Sequence, residues 1–390
     1  MSTPETSAHG SIVIHSARIV SGGAIVEDGW VRFEEGLIAG RGTGSSWGAA
    51  DVVIDAAETA GAGAILTPGF VDIHGHGGAG TAFDDGAEAI RTARAMHRAH
   101  GTTRAVVSLI TATLDLLADR VAAVADLMQT DHDLLGSHLE GPFLDLGHKG
   151  AHDPELLRAP VADEVQRLLE AGRGTVRQVT LAPELDGGLE AIRIVVAAGA
   201  AAAVGHTDAD DDTLRAAFDA GATILTHAFN AMRPVHHRTP GPVLTAAHDE
   251  RVTLEAIADN IHLHPQIIKL VFDEAPGRVA LITDAMAAAG SADGDYMLGS
   301  LHVTVRGGIA RVDSGSIAGS TLTQDVALRN AVAAGVPLAD AVEALTRTPA
   351  RAIGVAGQLG LLDEGYLADA VLLSAELDVS GVWTGAALTR

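Results

Sequence analysis

Six residues carry the chemistry this sequence offers. His74 and His76 stand one residue apart in FVDIHGHGG (residues 70–78), Glu140 ends LLGSHLE, His206 lies in AAAVGHT, His227 in ATILTHAFN and Asp284 in VALITDAM. On an extended chain the side chains alternate faces, so His74 and His76 project the same way, as a ligand pair would. Neutral imidazole and carboxylate together suit zinc and its neighbours among the divalent transition metals, and a catalytic site keeps one position open for water. Water bound there loses a proton near neutral pH, and the resulting metal-bound hydroxide is a nucleophile. The set therefore points to hydrolysis, with Asp284 as the general base that takes the proton from water and, as general acid, returns it to the leaving group.

These residues need a scaffold that brings them to one place. Short apolar runs recur at 70–76, 103–110, 134–140, 176–184, 201–207, 222–230, 252–259 and 279–286, and several intervening segments, such as AEAIRTARAMHRAHG, LDLLADRVAAVADLM and DEVQRLLEAG, have helical spacing. Strands alternating with helices imply βαβ units and a parallel sheet, and eight such units are the number that closes a (β/α)8 TIM-type barrel. In such a barrel chemistry sits at the C-terminal ends of the strands. All six candidate ligands fall at that end, on the first, third, fifth, sixth and eighth runs. A lone histidine or aspartate at a strand end is usually a turn or a satisfied polar group, but that explanation would have to hold separately at five strands. Residues 1–66 and 355–390 read differently, as short alternating runs broken by glycine, and the expectation is a small β-sandwich domain built from both termini around a barrel spanning 67–354.

Composition narrows the partners. The chain has 390 residues and a formal charge of −24, from 26 basic against 50 acidic groups, which would repel a phosphate backbone and argues against nucleic acid. There is no cysteine, so disulfides, thiolate ligands and a cysteine nucleophile are excluded. No apolar run reaches the length of a membrane span, and the start MSTPETSAHG lacks the basic and apolar regions of a leader, so the expected location is cytoplasmic. The glycine-rich GHGGAG has neither the Lys and Ser/Thr of a P-loop nor the spacing of a dinucleotide fingerprint.

HGHGG, HLEGPF, KGAH, GHTDA, THAFNAM, IADNIH, ITDAM and IAGSTLT, in this order, resemble the N-acetylglucosamine-6-phosphate deacetylases of the amidohydrolase superfamily, from about residue 67 to the tail. The resemblance implies a (β/α)8 barrel with a small β domain, and removal of acetate from the 2-acetamido group of an aminosugar 6-phosphate. It further implies that Glu140, His206 and His227 hold the principal metal, that Asp284 is the acid and base, and that His74 and His76 support a second ion. Zn2+ is the expected metal, one or two per subunit, with Fe2+ or another divalent ion as the alternative. For the substrate the resemblance points to Ala151 and His152, Asn230 and Ala231, Arg238, His262, and the backbone at Ile317, Ala318 and Gly319. Arg238 matches an arginine that reaches the phosphate across a dimer interface, so a homodimer is implied, and its planar fork suits phosphate. Asn260 stands where many relatives carry glycine, a mild departure because asparagine tolerates a left-handed backbone.

Of three alternatives, the residues disfavour two and leave one open. Dihydroorotase-like, dihydropyrimidinase-like and urease-like enzymes bridge two metals with a carboxylated lysine at the end of strand four, but here that strand ends in LAPE and the only lysines, Lys149 and Lys269, end no strand. A deacylase of another N-acetyl-aminosugar phosphate or of an N-acyl-D-amino acid stays open, and the phosphate-reaching Arg238 argues for a phosphorylated sugar. A non-catalytic scaffold predicts loss of ligands or base, yet Glu140, His206, His227 and Asp284 are all present.

Overall fold

Eight parallel strands form the central sheet of the computed structural model, which describes residues 10–390. The polar start, read above as lacking a leader's pattern, falls mostly on residues 1–9, outside that range. The strands are β1 (Phe70–Asp72), β2 (Thr102–Ile110), β3 (Leu134–Glu140), β4 (Val176–Leu181), β5 (Ala201–Val204), β6 (Ile224–Leu225), β7 (Thr253–Ile257) and β8 (Val279–Ile282). They are hydrogen-bonded in sequence order from β1 to β8, all parallel. Both faces of such a sheet are covered, which is why β2 is buried at every position.

The sheet closes into a barrel through side chains as much as through backbone. The Asp72 carboxylate accepts from Thr283 Oγ1 at 2.6 Å and from the Thr283 amide at 3.3 Å, while the Asp284 amide donates to His74 O at 2.8 Å. Below them the Gln324 side-chain amide donates to Val71 O at 3.0 Å and Leu281 O at 3.3 Å, and its oxygen accepts from Thr102 Oγ1 at 2.9 Å. One buried amide thus satisfies polar groups on β1, β2 and β8, where a bare seam would leave them unpaired.

The helices follow from sequence spacing. Ala87–Ala99 buries Ile90, Ala93, Arg94 and His97, the three- and four-residue stripe of an amphipathic helix. Leu114–Leu127 begins where the Thr113 side chain accepts from the Leu116 amide. Among the described residues no helix is long and apolar enough to cross a membrane.

The chain ends build a second sheet. Strand Ile12–Ser21 pairs with Ala24–Glu34, Val52–Asp55 and Ile65–Pro68, and Ile65–Pro68 pairs in turn with Ala370–Leu373 near the C-terminus. Bulges between Ile14 and Ile19 bend the central strand, and the sheet wraps a core containing Ile14, Val31, Phe33, Leu66, Leu372 and Trp383. Arg104 on β2 grips Asp369 with two bonds, at 2.5 and 3.0 Å, fastening this sheet to the barrel.

Two features depart from the sequence reading. The sixth strand, expected over 222–230, is only Ile224–Leu225, because His227, Phe229 and Ala231 take positive φ values of 27°, 75° and 51° and carry the chain out of the sheet. A three-stranded antiparallel sheet, Gly294–Leu298, Leu301–Arg306 and Ile309–Val312, follows β8 and was not expected. Its hairpins turn at Gly299-Ser300 and Gly307-Gly308, dipeptides that mark such turns in the sequence.

Candidate active site

Three of the candidate ligands sit where strand geometry ends. His206, His227 and Asp284 have φ of 48°, 27° and 48°, a left-handed region that non-glycine residues enter at a cost and that concentrates at functional sites. With Glu140, the last residue of β3, they turn inward at the C-terminal mouth of the barrel.

Their ring nitrogens converge on one carboxylate oxygen. Glu140 Oε1 lies 3.3 Å from His74 Nε2, 3.2 Å from His206 Nε2 and 3.1 Å from His227 Nε2. Glu140 Oε2 lies 3.1 Å from His76 Nε2 and 3.6 Å from His152 Nε2. Asp284 Oδ1 faces His76 Nε2 at 3.4 Å and His74 Nε2 at 3.6 Å, and the Nε2 atoms of His206 and His227 are 3.0 Å apart. All of these residues except Asp284, which is 8 % exposed, are less than 5 % exposed.

This donor set fits a divalent cation. Buried imidazoles facing each other and a carboxylate across about 3 Å leave lone pairs without donors, and His74 Nε2 has no hydrogen-bond partner among the described residues. Two compact groups of potential ligand atoms share Glu140: His74, His76 and Glu140, and Glu140, His152 and His206. The electrostatics point the same way. Burial lowers the His76 ring, but hydrogen bonds and charge from Asp284 and Glu140 outweigh it and raise it to about 9, so the pocket draws positive charge. Burial dominates at His206 and lowers it to about 4, leaving a neutral ring. Burial raises the Asp284 carboxyl; the His76 bond and the charge of His74 and His76 outweigh it and hold it below its ordinary value.

The rings are oriented from behind. His206 Nδ1 bonds His148 O at 2.9 Å, leaving Nε2 free for the pocket. His74 Nδ1 bonds Glu255 Oε2 at 2.9 Å; that carboxylate, fully buried in the middle of β7, also accepts from the His227 amide at 3.2 Å and from Gln178 Nε2 at 2.8 Å. Sequence reading missed Glu255, although a carboxylate inside the apolar run VTLEAIAD was a visible signal.

A cavity of about 290 Å3 opens above the ligands, a size for a small molecule. It is lined by His76, Glu140, His206, His227 and Asp284, and by Ala151, His152, Asn230, Ala231, His262, Ile317 and Gly319 of the expected substrate set. His74 lies beneath it, fully buried. Ala318 does not line it; its methyl is packed into the core under the three-stranded sheet. Arg238 is exposed on the loop after β6, with Nη1 2.7 Å from its neighbour His237, and lies outside this chain's cavity. Ile110, Gly150, Leu298 and Ser316 also line the cavity and were not foreseen. A larger cleft of about 1120 Å3 opens at the other end of the barrel beside Ala201, Thr223, Thr253 and Arg278, away from every candidate ligand.

Known proteins share this architecture. A crystal structure of N-acetyl-D-glucosamine-6-phosphate deacetylase from Mycobacterium smegmatis is similar with a TM-score of 0.91 and 41% identity, over 98% of this chain and 100% of that one. A variant of that enzyme in complex with N-acetyl-D-glucosamine-6-phosphate matches with a TM-score of 0.92, over 97% and 99% of the two chains. In sequence the chain is 41% identical to an N-acetylgalactosamine-6-phosphate deacetylase of Escherichia coli O157:H7, over 82% of this chain and 86% of the other. It is 34% identical to N-acetylglucosamine-6-phosphate deacetylase of Bos taurus, over 94% and 93%. The sequence profile of the amidohydrolase family matches residues 65–387, and the chain belongs to that family.

Proposed function

We propose that this protein hydrolyses the acetamide of N-acetyl-D-glucosamine 6-phosphate to D-glucosamine 6-phosphate and acetate. The observation that carries the reading is the convergence of three imidazole nitrogens on Glu140 Oε1, with Asp284 beside them at the floor of a small-molecule cavity. The names of the similar proteins supply the substrate class. Glu140, His206 and His227 would hold a divalent ion, Zn2+ or Fe2+, with His74 and His76 available to a second; the chemistry an ion would supply there is polarisation of the amide carbonyl and acidification of water.

The chain's own groups move the protons. Asp284, ionised at neutral pH by its histidine neighbours, takes a proton on Oδ1 from the attacking water as the new C–O bond forms. The same atom delivers that proton to the amide nitrogen as the C–N bond breaks, so the sugar leaves as an amine. His262, held at Nδ1 by Asp259 at 2.7 Å, keeps Nε2 for a substrate oxygen, while His152, held at Nδ1 by Thr111 Oγ1 at 2.8 Å, points Nε2 at Glu140 Oε2 from 3.6 Å, where the substrate would sit beside it. In a homodimer, Arg238 would reach the phosphate in the neighbouring site, which is consistent with its exposure.

The Escherichia coli relative supports a second reading, the galactosamine epimer, by the same chemistry. The test measures acetate released by metal-loaded protein from N-acetylglucosamine 6-phosphate, N-acetylgalactosamine 6-phosphate and unphosphorylated N-acetylglucosamine. Release from the first well above the other two is expected. A preference for the galactosamine epimer would reassign the substrate, and no release from any of the three would refute the aminosugar reading and turn the test to N-acyl-D-amino acids before a scaffold role.

A further inference from the structure

The cavity has a polar side and an apolar side, and the barrel order says which is which. Asn230 and Ala231 follow β6 and His262 follows β7, so the groups suited to sugar and phosphate oxygens stand on that side. Across the candidate ligands, on the side of β1 to β3, His152 shares the lining with apolar residues. Ile110 is the last residue of β2, in register with Glu140 on β3 and 3 % exposed. Leu298 ends the first strand of the three-stranded sheet, 4 % exposed. The two belong to one apolar cluster with Ala151, Met286, Val303 and Val305.

The tip carrying Leu298 is fixed. A Cβ placed on Gly299 would lie 3.0 Å from Ile110 Cγ2, so the turn rests closely on β2 and a side chain there would need Ile110 to give way. Ser300 Oγ donates to Asp153 Oδ2 at 2.9 Å, tying the same turn to the loop that carries Ala151 and His152. A wall held from two directions resists enlargement, since close-packed interiors respond to one added methylene.

An amide bound over Glu140 and Asp284 with its sugar toward Asn230 and His262 must direct its acyl carbon the other way. We propose that Leu298 and Ile110 form the wall that receives the acyl group and limits it to acetyl. The proposal rests on the deacetylase reading and adds its acyl specificity, set by a sheet inserted after β8 and not by the metal ligands.

The test compares kcat/KM for the N-acetyl, N-propionyl and N-butyryl derivatives of glucosamine 6-phosphate in the wild type and in L298A. In the wild type, acetyl is favoured over propionyl by about 10- to 200-fold, the range one methylene commands in an apolar pocket. In L298A that ratio falls at least about tenfold, while inhibition by the product glucosamine 6-phosphate, which has no acyl group, keeps its wild-type constant within about threefold. I110V, which removes one methyl, shifts the ratio in the same direction and serves if L298A does not fold. A wild type active on acetyl whose ratio neither variant moves by more than twofold would overturn the acyl wall alone. A wild type inactive on all three chains would overturn the N-acetylglucosamine-6-phosphate reading on which the wall rests.

Discussion

Replacing Glu255 by glutamine should loosen the metal without touching a ligand. The carboxylate receives three hydrogen bonds, and two of them come from residues that line up on Glu140: His74 through Nδ1 at 2.9 Å and His227 through its amide at 3.2 Å. Glutamine keeps the shape but removes the charge. A hydrogen bond to a charged group contributes about 1.5–3 kcal/mol. Loss of a partner behind a ligating histidine weakens metal binding by about 10- to 100-fold, which at about 1.4 kcal/mol per factor of ten is about 1.4–2.8 kcal/mol. The two figures agree, so the expected change in metal dissociation constant for E255Q is about 10- to 100-fold. Elemental analysis after dialysis against chelators of graded strength reads it directly. Q178L supplies the control: it removes the third bond to Glu255, which touches no ligand, and should lower stability by about 1–3 kcal/mol with little change in metal content. A folded E255Q that holds metal as tightly as the wild type would show that His74 is oriented by something other than this carboxylate.

Three further outcomes are expected. D284N should retain metal and lose about 10^2- to 10^4-fold in kcat, because Glu140 and the histidines remain while the proton carrier is gone; near-normal turnover would remove Asp284 from its role. R238A should raise KM for the phosphorylated sugar far more than for its unphosphorylated analogue in parallel initial-rate assays, and equal effects would mean that the arginine does not read phosphate. Burial lowers His97 to about 4 from an ordinary 6.5, while its Nε2 bonds Gly77 O at 2.9 Å. Because the folded value is the depressed one, the neutral ring's contribution is intact above about pH 6.5 and is lost as pH falls toward 4, a difference of about 3 kcal/mol. H97Q, which can keep the bond to Gly77, should therefore show a flatter loss of denaturant midpoint between pH 7 and pH 4, and an unchanged slope would reject the assignment.

The parts legible in the sequence were those with a local signal. Periodicity located the eight strands because buried parallel strands are continuous apolar runs, and the polar residues at their ends stood out against them. The three-stranded sheet after β8 has its own local signal, since GDYMLGSLHVTVRGGIARV alternates and turns at Gly-Ser and Gly-Gly, but it belongs to no βαβ unit and so lies outside the pattern that defines the barrel. The Leu298 contact with the cavity was not legible at all: it depends on where that hairpin tip lands, and no periodicity encodes this. The closing bonds at Asp72 and Gln324 join residues more than two hundred positions apart in the chain, so their role emerges only when the barrel is shut.

The sheet made from the two chain ends has a consequence for biosynthesis. Strand Ile65–Pro68 leaves the ribosome early, yet one of its edges pairs with Ala370–Leu373, and Asp369, which anchors that partner to Arg104, arrives just before it. Until then an apolar edge stays unpaired, a template for association with another nascent chain. The small sheet therefore completes only after the barrel sequence has been translated, and shortening the chain before residue 370 should release an aggregation-prone product, even with every candidate ligand already made.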